Sequence, residues 1–220
     1  MNRKSVLDEI TNQLISIQQD HPIRVGIDGV DASGKTSLAS ELASSIEEKD
    51  LDVISLSIDG FHNPKAVRYK QGEDSPLGYF QDSFNIREVL NEVLVPLGPN
   101  GNLSYKQSVF DLTTDSPVES PTIKANSRSI LLFEGLFLHR PELIDHWDFS
   151  IFVHTDFEIT IERAIKRDID RFGTTEGVCS KYRKRYIPGQ MIYLESVDPQ
   201  SKATLIVNNN DIANPELLVN

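Results

Sequence analysis

Residues 29–36 read Gly-Val-Asp-Ala-Ser-Gly-Lys-Thr, and this run constrains the fold more than any other part of the chain. Glycine at positions 29 and 34 permits backbone conformations that a Cβ would hinder, so that consecutive N–H groups can point at one anion. Lys35 adds a positive charge, and the Thr36 hydroxyl can ligate Mg²⁺. The run fits G-x-x-x-x-G-K-[ST] at every fixed position, which predicts a phosphate-binding loop between a strand and a helix.

The flanking sequence has the required order of elements. Residues 23–28 (IRVGID) form a mostly apolar, β-branched run that is typical of a buried strand. After the loop, Leu38, Leu42 and Ile46 recur at helical spacing. A nucleotide is therefore the expected ligand. The residues expected to bind it are Gly29, Asp31, Ala32, Ser33, Gly34, Lys35, Thr36 and Ser37, together with Arg171 of a later helix.

The composition narrows the class of protein. With 220 residues, 39% of them hydrophobic and 25% charged, the chain suits one globular domain spanning residues 1–220. No apolar run approaches the roughly 18 residues of a membrane span, and residues 1–20 predict a polar helix instead of a signal peptide. The single cysteine favours a cytoplasmic setting. The net charge of −11 argues against a nucleic-acid partner. The sequence does not determine the oligomeric state, and a homo-oligomer is one of the alternatives.

Five apolar runs predict the strands of one sheet, at residues 23–28, 51–58, 129–133, 149–153 and 203–207. Because these runs do not alternate with polar residues, they indicate an α/β fold with a parallel sheet covered on both faces by helices. We expect the three-layer fold of P-loop NTPases. The polar stretch at about 60–84 predicts a loop over an acceptor. Residues 171–185, with Gly-Thr-Thr-Glu-Gly-Val at 173–178, predict a small flexible lid that carries arginine.

Two carboxylates follow predicted strands. Asp59 and Glu134 each lie one residue past a strand end, on the same edge of the sheet as the phosphate loop. Thr36 and Glu134 are candidates to hold Mg²⁺, directly or through water, with Asp59 also near the metal. Asp59 is the candidate base for an acceptor hydroxyl. The alternative for either carboxylate is a helix cap or a turn former.

A basic segment follows the fourth strand. Arg163, Arg167 and Arg171 are spaced four residues apart and therefore share one helix face. Three like charges on one helix face favour the binding of a shared anion. A phosphoryl group in transfer is such an anion, and its charge would be stabilised by these arginines. Arg163 and Arg167, together with Lys35, are therefore the expected catalytic cations. Pairing with Asp168 and Asp170 is the structural alternative.

The chain resembles the uridine kinase and phosphoribulokinase group of P-loop kinases from about residue 23 to residue 209. The similar stretches are GVDASGKT at 29–36, Asp-Gly-Phe-His at 59–62, Phe-Glu-Gly at 133–135, the helix from Thr155-Asp156 to Arg167-Asp168, and Tyr-Ile-Pro-Gly-Gln at 186–190. This resemblance implies an ATP- and Mg²⁺-dependent kinase in which Asp59 is the base. It also implies that Thr36 and Glu134 attend the metal and that Arg163 and Arg167 contact phosphates.

Two stretches depart from the uridine kinases of that group. Their Asn-Phe-Asp-His-Pro, which reads the ribose, is replaced here by residues 75–84. Their Tyr-Asp-Phe with a following histidine, which reads the pyrimidine, is replaced by residues 109–115. The resemblance therefore supports chemistry on ATP more strongly than it supports a nucleoside acceptor.

The acceptor is expected to lie under the 60–84 segment, where His62, Arg68, Tyr79 and Asp82 are the candidate binding residues. A nucleoside such as uridine or cytidine is the first expectation, and pantothenate, a sugar or a sugar phosphate is the alternative. A nucleotide-switch protein is less favoured, because the guanine-reading Asn-Lys-x-Asp motif is absent and the nearest stretch, residues 208–211, has no lysine. Residues 208–212 are the expected position of the nucleotide base.

Lys35→Ala tests the phosphate loop. The substitution removes the charge expected at the β- and γ-phosphates, so it should abolish most of the turnover while the fold survives. Steady-state ADP release and a circular dichroism spectrum measure the two effects. Nearly unchanged activity would remove the assignment of residues 29–36 as a phosphate loop.

Overall fold

The computed structural model describes residues 2–219, so that the terminal residues of the predicted domain, Met1 and Asn220, lie outside the described part. The strands are β1 (Ile23–Gly29), β2 (Val53–Ser57), the short β3 (Ser104–Tyr105), β4 (Phe110–Asp111), β5 (Ser116–Pro117) and β6 (Ile123–Lys124), then β7 (Ile130–Glu134), β8 (Phe149–His154), β9 (Leu205–Asn208) and β10 (Glu216–Val219). The helices are α1 (Arg3–Ser16), α2 (Lys35–Glu47), α3 (Lys65–Arg68), α4 (Pro76–Asp82), α5 (Ile86–Val89), α6 (Phe157–Phe172), α7 (Thr175–Lys181), α8 (Ile187–Val197) and α9 (Pro199–Lys202).

The central sheet has the order β10-β9-β8-β1-β7-β2, and all of its pairings are parallel except that of β10 with β9. The five predicted parallel strands and the α/β fold are confirmed. The sixth strand, β10, was not predicted. It is a four-residue edge strand with the exposed Leu218, so it lacks the long apolar run that marks a strand covered on both faces.

Helices cover both faces of the sheet, and the residues of β7 show why its sequence is apolar throughout. Ile130 and Leu132 pack toward α1 and α2, in a core with Leu42. Leu131 and Phe133 pack in a second core, on the other face of the sheet. Each strand residue therefore meets a helix or loop layer, which removes the polar alternation of a half-exposed strand.

Parallel pairing brings the functional strand ends to one edge. Glu134 at the end of β7 is in register with Ser57 at the end of β2 and with Ile27 of β1. Gly29, where β1 ends, is in register with Val153 of β8. The phosphate loop and both strand-end carboxylates consequently lie on the same edge, as predicted from the strand order.

Two segments expected to be irregular contain helices. A 3₁₀ turn at Ile58–Phe61 and the helices α3 and α4 occupy much of 60–84. Most of the run 173–178 is helical, because α7 begins at Thr175, while the flexibility of the lid stays a prediction. Its start is capped by the Thr174 hydroxyl, which accepts a hydrogen bond from the Gly177 N–H at 3.0 Å, and Val178 is fully buried. Within residues 2–219, no helix combines the length and the apolar character needed to cross a bilayer.

Ile10→Ala tests how far α1 contributes to the fold. Ile10 is fully buried in the core that α1 shares with α2 and the sheet, so its truncation leaves a cavity. We expect the free energy of unfolding to fall by about 2–5 kcal/mol, measured by urea denaturation. Ile15→Ala, on the same helix but 38% exposed, is the matched control and should change it by less than about 1 kcal/mol. Equal effects of the two variants would show that α1 is not packed as described.

Candidate active site

Close contacts hold the phosphate loop between β1 and α2. Gly34 precedes the first residue of α2 with a φ of 96°, and a Cβ there would lie 2.6 Å from the side-chain nitrogen of Asn209. A Cβ on Gly29 would lie 2.4 Å from the carbonyl oxygen of Val153. The two invariant positions of the motif are therefore glycine because the loop abuts β8 and the segment after β9.

The loop offers donors to an anion. No side chain caps the start of α2, so the N–H groups of its first turn are available to phosphate oxygens. The Lys35 ammonium group is buried and donates to the carbonyl oxygen of Val30 at 2.8 Å. The Ser33 hydroxyl is buried without a hydrogen-bond partner in the described part of the chain. This donor set fits the phosphates of a nucleotide.

Two hydroxyls and two carboxylates meet beside the loop. The hydroxyls of Ser57 and Thr36 act on the Glu134 carboxylate and favour its charged form. Burial raises the pKa of Glu134 above its ordinary value, although the nearby charge of Lys35 opposes the shift. Asp59 lies in the adjacent 3₁₀ turn with 71% of its side chain exposed.

The oxygens of this corner suit Mg²⁺, which prefers hard ligands and keeps several waters. Among residues 2–219 no group of three or more His, Cys, Asp or Glu residues could hold a metal ion by itself. A metal at Thr36 and Glu134 would therefore depend on the nucleotide phosphates for further ligands. The assignment of Thr36, Glu134 and Asp59 to the metal stays a prediction.

Asp31 connects the loop to α6, to the lid at residues 171–185 and to α8, which together are called the lid helices. Its N–H donates to the side-chain oxygen of Gln190 on α8, and its carboxylate accepts hydrogen bonds from Arg167 and Tyr182. Arg167 also pairs with Asp168 at 2.8 Å. Arg167 thus lies at the phosphate loop, and its charge is compensated by two carboxylates, of which Asp168 belongs to the structural alternative. A contact of Arg167 with a phosphoryl group stays a prediction.

The other two predicted arginines occupy different surroundings. Arg163 donates to the carbonyl oxygens of Ser33 at 3.3 Å and Asn209 at 2.8 Å, and so ties the phosphate loop to the chain after β9. Arg171 stacks on the ring of Phe172, with its guanidinium carbon 5.3 Å from the ring centre. A phosphate contact for Arg163 and for Arg171 stays a prediction.

A buried carboxylate lies beneath the loop. Asp28 is fully buried and accepts hydrogen bonds from the Gly29 N–H at 2.7 Å, the His139 N–H at 3.1 Å and the Tyr193 hydroxyl. Tyr193 belongs to α8, so this helix is attached to β1 as well as to Asp31. This contact had no signal in the sequence, because Asp28 lies at the end of the first predicted strand.

Two cavities flank the phosphate loop. The loop cavity, of about 300 Å³, is lined by the residues of the phosphate-binding motif with Asp59, Glu134, Arg163 and Ile212. Ile212, 49% exposed, lies in the stretch expected near the nucleotide base. The lid cavity, of about 390 Å³, lies between the 59–84 segment and the lid. Thr36, Asp31, Asp59 and Arg167 line both cavities, so the two are adjacent.

The predicted acceptor residues divide into two groups. His62, Arg68 and Tyr79 line the lid cavity. Asp82 does not line either cavity. It is buried and bonded to the Lys70 ammonium group at 2.8 Å and to the Gln71 amide at 2.6 Å, so these side chains already satisfy the carboxylate that was expected to bind the acceptor.

Several residues that line the site are not among the predicted site residues. Tyr69, Arg185 and Tyr186 line the lid cavity. Arg185 lies in the basic segment at 163–185, so a signal for it existed in the charge distribution. Tyr182, which donates to Asp31, had no signal, because its role depends on the packing of the lid on the loop.

A phosphate loop that shares Thr36 and an exposed strand-end aspartate with a second, lid-covered cavity is the arrangement of a P-loop kinase. Sequence comparison places the chain within that class. It belongs to the Phosphoribulokinase / Uridine kinase family, whose profile matches residues 24–212. The chain is therefore a phosphotransferase with an alcohol group as acceptor.

Individual relatives cover nearly the whole chain. A curated uridine kinase of Alkaliphilus metalliredigens (strain QYMF) is 29% identical over 193 residues, which are 86% of this chain and 87% of the relative. A solved structure described as a possible uridine kinase from Bacillus stearothermophilus has a TM-score of 0.73 at 21% identity, covering 92% of this chain and 97% of that one. D-glycerate 3-kinase from Cryptococcus neoformans var. grubii serotype A has a TM-score of 0.64 at 16% identity and covers 97% of each chain.

Asp31→Asn tests the link between loop and lid. Burial acts to raise the pKa of Asp31, but the charges of Arg167 and Lys35 and two hydrogen bonds outweigh it, so the pKa lies below the ordinary 3.8. A carboxyl with a lowered pKa in the folded state contributes stability above its unfolded pKa and loses it as pH falls through the folded value. We expect Asp31→Asn to lower the free energy of unfolding by about 1–3 kcal/mol, evenly between about pH 5 and 8.

Urea denaturation at several pH values checks this expectation, with the exposed Asp170→Asn on α6 as the control. A difference between wild type and Asp31→Asn that has already vanished at about pH 5 would contradict the lowered pKa.

Proposed function

We propose that this enzyme transfers the γ-phosphate of ATP from the loop cavity to a hydroxyl group of a small molecule in the lid cavity. The observation that carries the proposal is the position of Asp59, which is exposed, follows β2 and lines both cavities. A carboxylate at the boundary between a bound nucleotide and an acceptor can take the proton of the attacking hydroxyl.

The reaction follows from this placement. The acceptor oxygen forms a bond to the γ-phosphorus, the bond from that phosphorus to the β–γ bridging oxygen breaks, and ADP leaves. The hydroxyl proton passes to Asp59. Lys35 and the first N–H groups of α2 hold the phosphates, and Arg167, at the boundary of the cavities, faces the group in transfer.

Mg²⁺, held by Thr36 and Glu134 with the phosphates and water, would neutralise charge on the β- and γ-phosphates. Deprotonated Glu134 is the better ligand, and because burial disfavours its negative charge, an incoming dication would be a favourable partner for it.

A nucleoside, uridine or cytidine, is the acceptor suggested by the names of the curated relatives. The rings of Tyr69, Tyr79 and Tyr186 in the lid cavity could stack on a base. The glycerate kinase named above has the same fold, so the fold alone does not choose the acceptor. A switch protein is the poorer interpretation, because Asn209 is occupied with the Ser33 carbonyl at 2.7 Å and the stretch has no lysine.

Asp59→Asn tests whether Asp59 acts as the general base or as a residue of the metal site. Asparagine keeps the size of the side chain but takes no proton, so kcat should fall by roughly 10²–10⁴ while the KM for ATP changes little. Steady-state kinetics with saturating acceptor measure both constants.

The matched control is Asp145→Asn, another exposed aspartate in a 3₁₀ turn, which precedes β8 and therefore lies at the opposite edge of the sheet. It should leave both constants unchanged. A loss of ATP affinity as large as the loss of kcat in Asp59→Asn would identify Asp59 as a residue of the metal site and not as the base.

A further inference from the structure

The charges that line the lid cavity are separated. Near the phosphate loop, Asp31 and Asp168 surround Arg167, and their charges are used within that network. Away from the loop the cavity is lined by Arg68, Arg171 and Arg185, with the aromatic rings between them. The far end of the cavity is therefore cationic in a protein whose net charge is −11.

Arg185 is the most unusual of these residues. Only 2% of it is exposed, and its guanidinium donates to three neutral oxygens, the carbonyls of Gly72, Glu73 and Arg68, at 3.0–3.1 Å. It also stacks on the ring of Tyr69, 4.6 Å from the ring centre. No carboxylate within residues 2–219 lies within ion-pair distance of it, and Asp74, whose charge acts on it from farther away, is paired with Lys181 at 3.0 Å. A buried cation without an ion-pair partner is costly, so the position favours an anion that the described residues do not supply.

Arg68 has one free donor beside Arg185. Its Nη2 atom pairs with Asp115 at 2.6 Å, which fixes the guanidinium, whereas its Nε atom is buried and has no partner in the described chain. This free N–H can donate one charge-assisted hydrogen bond to a carboxylate or a phosphate.

His62 connects this end of the cavity to the reacting end. Its Nδ1 atom lies 2.9 Å from the carbonyl oxygen of Asp59. Burial chiefly lowers the pKa of His62, the charge of Asp59 raises it, and those of Arg68 and Arg171 lower it further. Asp59, His62 and the arginines also line the same cavity, so one small molecule can contact both ends of it.

We propose, on the basis of the kinase function above, that the acceptor carries an anionic group, a carboxylate or a phosphate monoester, which Arg185 and Arg68 bind together with Arg171 while the hydroxyl lies at Asp59. The acceptor is then a hydroxy acid or a sugar phosphate, and a neutral nucleoside leaves the arginines without a partner. Arg185 and Arg68 are the residues that determine specificity.

The competing explanation is that Arg185 only fastens the chain near Gly72 to the lid. A fastening residue would act on every acceptor alike and on ATP, whereas an anion-binding residue acts on charged acceptors alone. Kinetics with several acceptors therefore distinguish the two roles.

The experiment measures ADP release with ATP and Mg²⁺ for uridine and cytidine, for pantothenate and glycerate, and for a pentose 5-phosphate and a hexose 6-phosphate. We expect kcat/KM for at least one anionic acceptor to exceed that for either nucleoside by about 100-fold or more. The hydroxy acids and the sugar phosphates separate a carboxylate from a phosphate as the group bound.

The variants are Arg68→Gln and Arg185→Lys, with Arg183→Ala, an exposed arginine of the same lid outside both cavities, as the control. We expect the first two to raise the KM of the anionic acceptor about 10- to 100-fold, with the KM for ATP changed less than about two-fold. The control should match wild type. Thermal melting reports folding, and if Arg185→Lys fails to fold, Arg68→Gln decides.

Turnover of uridine or cytidine with all anionic acceptors inactive would overturn this inference and leave the kinase function intact. Equal losses for every acceptor and for ATP in the arginine variants would reduce Arg185 to a fastening residue, which also overturns it. If no acceptor is phosphorylated, the proposed function fails, and calorimetry with the same anions and inorganic phosphate then decides the anion site. Binding weakened by Arg68→Gln would support the site, and absence of binding would overturn it.

Discussion

The arrangement of the site depends on the partly buried carboxylate of Asp31 in the phosphate loop. By itself, a negative charge there would repel a bound phosphate, but Arg167 and Tyr182 compensate it from the lid side. The same residue is bound through its N–H by Gln190. The loop therefore remains an anion-binding site only while the lid helices are packed against it. The nucleotide site and the lid are consequently ordered together.

The two cavities follow from this packing. Their shared wall contains Thr36 and Asp59, and the compensated pair of Asp31 and Arg167. Charge is balanced at that wall and unbalanced at the far end of the lid cavity, where Arg185 is buried among neutral groups. The proposed phosphate-donor site, base and cationic specificity region would thus follow one another along one continuous cleft.

The elements that carry their own signal were predictable. The strands were found because helices cover both faces and leave apolar runs, and Asp59 and Glu134 were placed together because parallel strands end at one edge of a sheet. The partners of Asp31 and of Arg185 were not predictable, since they are more than 100 positions away in the chain. The pairing of Asp82 with Lys70 spans a short distance in sequence, but it depends on how the 60–84 segment folds. The helix α7 was missed because glycines and threonines read as loop until Val178 is seen to be buried.

The buried Asp28 beneath the loop has a mechanical consequence. Moving α8 away from the sheet would break the hydrogen bond from the Tyr193 hydroxyl to the Asp28 carboxylate, which has no access to water. Leaving that carboxylate unsatisfied is costly. The helix is therefore expected to behave as one rigid body with β1. From α7 the chain stays helical through the π-helical segment Tyr182–Tyr186 into α8, so the attachment of α8 also restrains α7. The helix is interrupted instead at Gly173, with a φ of 78°, which separates α6 from α7. Opening and closing of the cleft would then turn about Gly173, with α7 and α8 as one fixed frame.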